Sequence, residues 1–369
     1  IRAAFQLIEL SSFRGTLYPL WGAWMDFGRK STWRGAQQFS GGREERKSFL
    51  NRMPVLSCIL GFIVAVMLFA CLPQRSFAVD FEEEINRLCN LPEDKIDIAI
   101  VSLTLAKEIN PELDVEAYSA KVDEMVQGTR ALTKGSTDPD YRVRALNTYL
   151  FKKRGIEYDL SDPQAQKPEN RYLNGMLDTK KGSCITMPVL YLAVAQRLGY
   201  PVYPVALPWH VIVRYVDPAL KQQNIETTGG GGYVPDGEYT EVFQISQRSI
   251  EAGAYLRTMT YREFLGDLIT YNAVYWGKQG NHPRAIRYLK KAVELNPRSA
   301  DTYKLLGISY QLYGKVYPYL MPNDRAVAMQ MAKQYFDKAN ELGVTTVSNS
   351  NYLVEQKRAQ EEYRSKHKE

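Results

Sequence analysis

Residues Lys181–Tyr215, KGSCITMPVLYLAVAQRLGYPVYPVALPWHVIVRY, pass from one hydrophobic period to another. Ser183 to Gly199 reads as a helix of about four turns that stops at a glycine. Tyr200-Pro201 then opens an extended run. VYPVAL and HVIVRYV are rich in β-branched and aromatic residues and read as strands. Asp217-Pro218 marks a turn. NIETT, residues 224–228, reads as the returning strand of a hairpin with a long loop. The four glycines Gly229–Gly232 read as a flexible segment, with a lid among its uses.

Two side chains in that stretch bear on chemistry. Cys184 falls in the first turn of the helix, where backbone N–H groups lack partners and the helix dipole is positive. Both favour a thiolate. Gly182 leaves room for a substrate backbone. His210 stands at the start of a strand, facing the helix entry. The chain has only three histidines, and His282 lies in a turn beside Pro283 while His367 is close to the end. A thiolate beside an imidazole attacks an acyl carbon, and the Cys184 N–H would face the developing oxyanion. Spacing alone leaves open that Cys184 is an inert core thiol.

An imidazole base needs a third group to orient it. Asp217, Glu226 and Asp236 are within reach in sequence. Asp217 precedes Pro218 and reads as a turn residue. Glu226 lies inside the returning strand, where a carboxylate beside Ile225 requires a partner. It is the expected third member, provided the register does not slip by one. Cys184 and His210 without CxxC or HxxxH spacing do not describe a tetrahedral zinc site, so no metal or other cofactor is expected.

The 369 residues suffice for two or three domains, and 45% hydrophobic with 24% charged residues is ordinary for a globular chain. The net charge of +6 is local. Nine Lys/Arg against four Asp/Glu in residues 1–52, together with Arg75, account for all of it. Residues 80–369 are neutral overall, so no nucleic-acid partner is expected. Residues 1–52 show no sustained periodicity and read as an unstructured extension or a mis-called start. Residues 53–79 read as a signal peptide or membrane anchor. They hold 18 uncharged residues, 55–72, behind a basic flank, and Ser76 and Ala78 frame a cut before Val79. The expected location is therefore outside the cytoplasm, in the periplasm or cell envelope. Cys89 and Cys184 would then be able to form one disulfide, whereas a nucleophilic Cys184 must stay free.

Residues 80–170 carry four amphipathic patterns and read as a helical lead-in, followed by a core over 171–265. Small and large residues recur at 34-residue spacing from Gly266: Ala273 with Gly307, and Gly280 with Gly314. This pattern suggests two tetratricopeptide (TPR) helical hairpins over 266–345. The second is interrupted by an insertion of about 13 residues near KVYPYLMPNDRAVAMQ. Two such repeats are too few to stand alone, so they are expected to pack on the core. Residues 346–369 form a charged tail.

RYLNGMLDTKKGSCITMPVLYLAVAQRLGYPVYPVALPWHVIVRY resembles the core of the SirB-type transglutaminase-like proteins. LPEDKIDIAIVSLTLAKEINPELDVEAY resembles their lead-in, so the likeness runs over about residues 84–342. It implies an α+β fold with three parts: the helical lead-in, a papain-like or transglutaminase-like core in which a cysteine-bearing helix packs on an antiparallel sheet, and all-α TPR hairpins. Carried over, Cys184 matches the nucleophile and His210 the base. The usual third member is an aspartate, and Glu226 stands in its place. The expected function is an exported cysteine acyl-transfer enzyme, peptidase, amidase or transamidase, acting on peptide or protein amides. The alternative is a non-catalytic TPR protein that binds a partner peptide or acts as a scaffold.

Overall fold

The structure, a computed structural model, describes residues 81–163, 165–317 and 321–345. The expected extension, apolar segment and charged tail lie outside the described residues. Among the described residues no helix is long and apolar enough to cross a membrane.

The lead-in contains helices α1 (Phe81–Cys89), α2 (Ile98–Ala106), α3 (Val115–Thr133) and α4 (Pro139–Asn147). Aspartates set three of the starts. Asp97, Asp114 and Asp138 each accept a backbone N–H from three residues on, satisfying a donor that the helix itself leaves unpaired. Helix α4 continues into a π-helical turn over Thr148–Lys153. Strand β1 (Glu157–Tyr158) follows, then helix α5 (Leu173–Thr179) and strand β2 (Lys181–Gly182), which pairs with β1 in parallel.

Helix α6 (Thr186–Arg197) is the axis of the core. Its residues 186–195 are all buried, in keeping with a sequence that is apolar on every side. It packs against α2, α3 and the strands β3 (Val202–Leu207) and β4 (His210–Tyr215). Gln196 fixes its far end by accepting the Ile98 N–H at 3.0 Å and donating to the Ile96 carbonyl at 2.7 Å. The sheet runs β3-β4-β5-β6, with β5 Asn224–Glu226 and β6 Gly232–Tyr233, antiparallel throughout.

The glycine run is not a loose lid. Thr227–Gly229 forms a 3₁₀ turn and Gly232 already pairs in β6. Gly231 has φ of 86°, and a Cβ there would meet the Asn147 side chain at 2.3 Å. Asn147 instead donates to the Gly231 carbonyl at 2.7 Å, so glycine is demanded by a close approach and a left-handed backbone.

Helices α7 (Asp236–Val242) and α8 (Gln247–Glu251) cover the open side of the sheet. Two antiparallel hairpins follow, α9 (Tyr261–Lys278) with α10 (His282–Leu295) and α11 (Ala300–Val316) with α12 (Pro322–Glu341). Gly307 lets α11 and α12 close, since a Cβ there would meet the Phe336 ring at 2.7 Å. This arrangement is compatible with TPR hairpins. Much of the expected insertion is helical, because α11 runs to Val316 and α12 starts at Pro322.

The hairpins are tied to the lead-in. Arg262 donates to the carbonyls of Cys89 and Leu91, and Glu93 accepts the N–H groups of Tyr261 and Arg262 at the head of α9. Glu108, just beyond α2, accepts from Asn272 (2.9 Å), Trp276 (2.7 Å), Tyr288 (2.5 Å) and Arg284 (2.6 Å). The described residues form one compact unit.

Candidate active site

The head of helix α6 is built by Ser183. Its hydroxyl accepts the Thr186 N–H at 3.2 Å, while the Thr186 hydroxyl accepts the Ser183 N–H at 2.8 Å. This is a reciprocal cap of the capping-box kind. The Ser183 carbonyl accepts the Met187 N–H at 3.1 Å, so Ser183 is the cap and Cys184 the first residue of the turn. Gly182 serves packing rather than substrate approach: a Cβ would fall 2.5 Å from the Met176 sulfur and 2.6 Å from Met187. Cys184 and Cys89 are both free and half-buried, so the disulfide open to them is not formed and the thiol of Cys184 is kept.

His210 follows a two-residue connection between β3 and β4, in which Leu207 pairs with His210. Pro208 comes first and Trp209 second, and Trp209 has φ of 57°. Glycine is usual in such a second position, and holding tryptophan there costs on the order of 1 kcal/mol. The conformation is secured from the C-terminal hairpins. Asp301 of α11 accepts the Trp209 N–H at 3.1 Å and the Tyr255 hydroxyl at 3.2 Å. Burial pushes the Asp301 carboxyl up to about 6, although those two hydrogen bonds and Lys304 oppose it.

Pairing of Val213 with Ile225 and Arg214 with Asn224 places Glu226 across from Ile212, on the same face as His210 and one step along. The imidazole Nε2–H donates to Glu226 Oε2 at 2.9 Å, and both residues are buried, at 2% and 4% exposure. Glu226 is further held by the Tyr239 hydroxyl (3.1 Å), the Thr228 N–H (3.0 Å) and the Thr228 hydroxyl (2.6 Å). The Phe243 ring stacks on His210 with centroids 6.0 Å apart. Cys184 is near enough to the imidazole to act on its charge, and with Nε2 engaged by Glu226, Nδ1 is the ring nitrogen that remains for a sulfur. Burial disfavours a charged ring, but the Glu226 charge and hydrogen bond, with Cys184, outweigh it. Together they push the His210 pKa up to about 10.

Cys184, His210 and Glu226 are thus brought together. The other two acids are not: Asp217 closes the turn by accepting the Ala219 N–H, and Asp236 is engaged by Arg214 and Asn224. Sequence reasoning missed Thr228, Tyr239, Phe243 and Asp301. Thr228 lies two residues after Glu226, a local side-chain-to-backbone spacing. Tyr239 and Phe243 are four apart at the end of α7, where one helical face presents both. Asp301 carried no sequence signal. Among the described residues no cluster of His, Cys, Asp and Glu is arranged to hold a metal ion.

Residues 116–269 match the transglutaminase-like superfamily. The chain is 30% identical over 129 residues to the UPF0162 protein of Xylella fastidiosa strain Temecula1, covering 35% of this chain and 45% of that protein. The figures are the same for the UPF0162 protein of strain 9a5c. A UPF0162 protein of Buchnera aphidicola is 20% identical over 136 residues, covering 48% of its length. The chain therefore spans about half the length of the curated relatives it matches. No solved structure matches it. Cys184, His210 and Glu226 all lie in the segment that matches the transglutaminase-like superfamily.

Proposed function

We propose that this chain is a cysteine acyl-transfer enzyme of the SirB-type transglutaminase-like kind, acting on peptide or protein amides. The carrying observation is the buried Glu226 on Nε2 of His210, which leaves the opposite ring nitrogen to the sulfur of Cys184. An imidazolium beside a sulfur is the setting in which a thiolate nucleophile forms. The sulfur attacks the amide carbon and a C–S bond forms. As the C–N bond breaks, His210 passes its proton to the leaving amine, giving a thioester and a neutral ring. Water or a second amine then gives up a proton to His210 and adds to the thioester carbon. The C–S bond breaks, the electron pair returns to sulfur, and an acid or a new amide leaves. The Cys184 N–H, at the head of α6, faces the oxyanion, since the neighbouring N–H groups are taken up by the Ser183 cap.

The test is site-resolved labelling of the purified chain with iodoacetamide at pH 6, followed by mass-spectrometric trapping of acyl-enzyme with peptide electrophiles. One equivalent at Cys184 and a mass adduct there are expected. An unreactive Cys184 would overturn the reading.

A second reading, a peptide-binding or scaffolding role for TPR hairpins, has one observation in its favour. Val316, Met321, Val327 and Met329 are exposed apolar residues at one end of the last hairpin. Full function of Cys184→Ala in cells would favour it. Export belongs to the same proposal and rests on the apolar residues 55–72. Recovery of the chain in the cytosolic fraction alone would count against it.

A further inference from the structure

Arg171 is the most anomalous charge in the molecule. It follows a short 3₁₀ turn, is 6% exposed, and has no carboxylate within ion-pairing distance among the described residues. Its Nε has no hydrogen-bond partner. Its two terminal nitrogens reach only neutral carbonyls, those of Ala165 and Tyr271, each at a long 3.4 Å. The guanidinium lies over the rings of Tyr271 (4.7 Å) and Tyr275 (5.4 Å), which shape its position without neutralising it. Asp162 is close enough to influence Tyr271, but its oxygens are engaged by the N–H groups of Gln166 and Lys167 and by Asn170. A buried cation normally has a counter-charge.

Arg171 lines a small cavity that also touches Ile185 and Thr186, the residues directly after Cys184. Tyr271 is on the same wall. Its hydroxyl is buried near Ser183 without a hydrogen bond of ordinary geometry, and it feels the charges of both Arg171 and Cys184. The remaining walls are largely apolar, with Leu105, Val189 and Leu268. Arg171 and Tyr271 thus bring planar N–H donors and a hydroxyl, several without a close partner, to a largely apolar cavity one residue along the chain from Cys184. One excess positive charge in an apolar site matches one negative charge. A planar carboxylate fits the fork of the guanidinium in two-point contact.

We propose that Arg171 and Tyr271 form a carboxylate-binding subsite next to Cys184, so that the amide substrate carries a carboxylate on or beside its acyl group. This rests on the acyl-transfer reading for its meaning but not for its test. The substrate class narrows from peptides in general to acidic peptides or peptide ends.

The test compares two alkylating agents of nearly the same shape on the full chain, iodoacetate and iodoacetamide, with Cys184 modification resolved by mass spectrometry. The iodoacetate-to-iodoacetamide rate ratio at Cys184 is expected to exceed that of glutathione by about tenfold. Arg171→Gln should remove that excess while leaving the iodoacetamide rate within about threefold. Tyr271→Phe, which deletes one buried hydroxyl, should lower the ratio severalfold and covers the case in which the arginine variant fails to fold. A wild-type ratio equal to that of glutathione overturns the proposal. So does an excess that survives both substitutions, which would trace it to His210. A second arm does not need a reactive thiol: N-acetylglycine should raise the melting temperature saturably and N-acetylglycinamide should not, with the difference lost in Arg171→Gln. If Cys184 reacts with neither reagent, the acyl-transfer reading falls and this arm alone decides the subsite. Equal responses to acid and amide overturn it.

Discussion

Glu226 and Arg171 are both charged, both more than nine-tenths buried, and both belong to the neighbourhood of one sulfur. Their surroundings are opposite. Glu226 accepts four hydrogen bonds, from an imidazole, a phenol, a backbone N–H and a hydroxyl, so each of its oxygens is engaged twice. Arg171 has two long contacts to neutral carbonyls. The fold has completed the first site from its own residues and left the second open. A buried charge with every lone pair engaged holds a geometry. A buried charge with idle donors is a site for something that arrives from outside.

The largest effect should come from emptying the completed site. Glu226→Ala is expected to cost about 3–5 kcal/mol in urea unfolding, because the buried His210 and the donors of Thr228 and Tyr239 then lose the carboxylate that accepts from them. A loss below about 1 kcal/mol would erase the contrast. Glu226→Gln keeps the shape and should instead slow alkylation of Cys184 at pH 6 by about tenfold. The same pair predicts a pH dependence. His210 has a folded pKa raised above its ordinary 6.5 to about 10. Its contribution to stability is therefore fully present below about pH 6.5 and is lost as pH rises toward 10. Thermal melts across that range should show the decline in wild type and a shallower one in Glu226→Gln.

Next in size is the turn that closes the carboxylate's cradle. Gly231→Ala meets both a positive φ and the Asn147 side chain, and should cost about 2 kcal/mol by chemical denaturation. Gly232→Ala meets nothing within 4 Å and should stay within about 0.5 kcal/mol. Equal and small effects at both positions would restore the flexible-lid expectation. The smallest effect belongs to the open site. Arg171→Met removes an uncompensated charge and keeps much of the volume, so it should leave stability within about 1 kcal/mol of wild type or raise it. A loss of 3 kcal/mol or more would mean that the guanidinium is a finished structural contact like Glu226.

What the sequence disclosed follows the same division. The helix from Ser183, the paired strands and the choice of Glu226 over Asp217 and Asp236 were legible because period, turn residues and register act over short distances. The role of Gly182 was not, since the methionines that press on it come from α5 and α6 and only packing shows them. The glycine run looked mobile because a glycine string says nothing about Asn147, more than eighty residues away in sequence, on which it closes. Asp301 is ninety-two residues from Trp209, and a carboxylate on a repeat-like helix gives no hint that it holds a turn in another element. Arg171 opens the motif RYLNG without any sign of its burial, because a basic residue near a loop normally faces water.

Glu108 bears on how such a molecule would be cut or inherited. The transglutaminase-like match ends at residue 269, inside helix α9. Trp276, Arg284 and Tyr288, which share the Glu108 carboxylate with Asn272, all lie beyond that point. A fragment ending at the family boundary would strip the acid of all four donors and uncover it along with the apolar side of α2. The chain is therefore modular as text but not in its packing: Glu108, which lies before the matched segment, is joined to helices that run beyond its end.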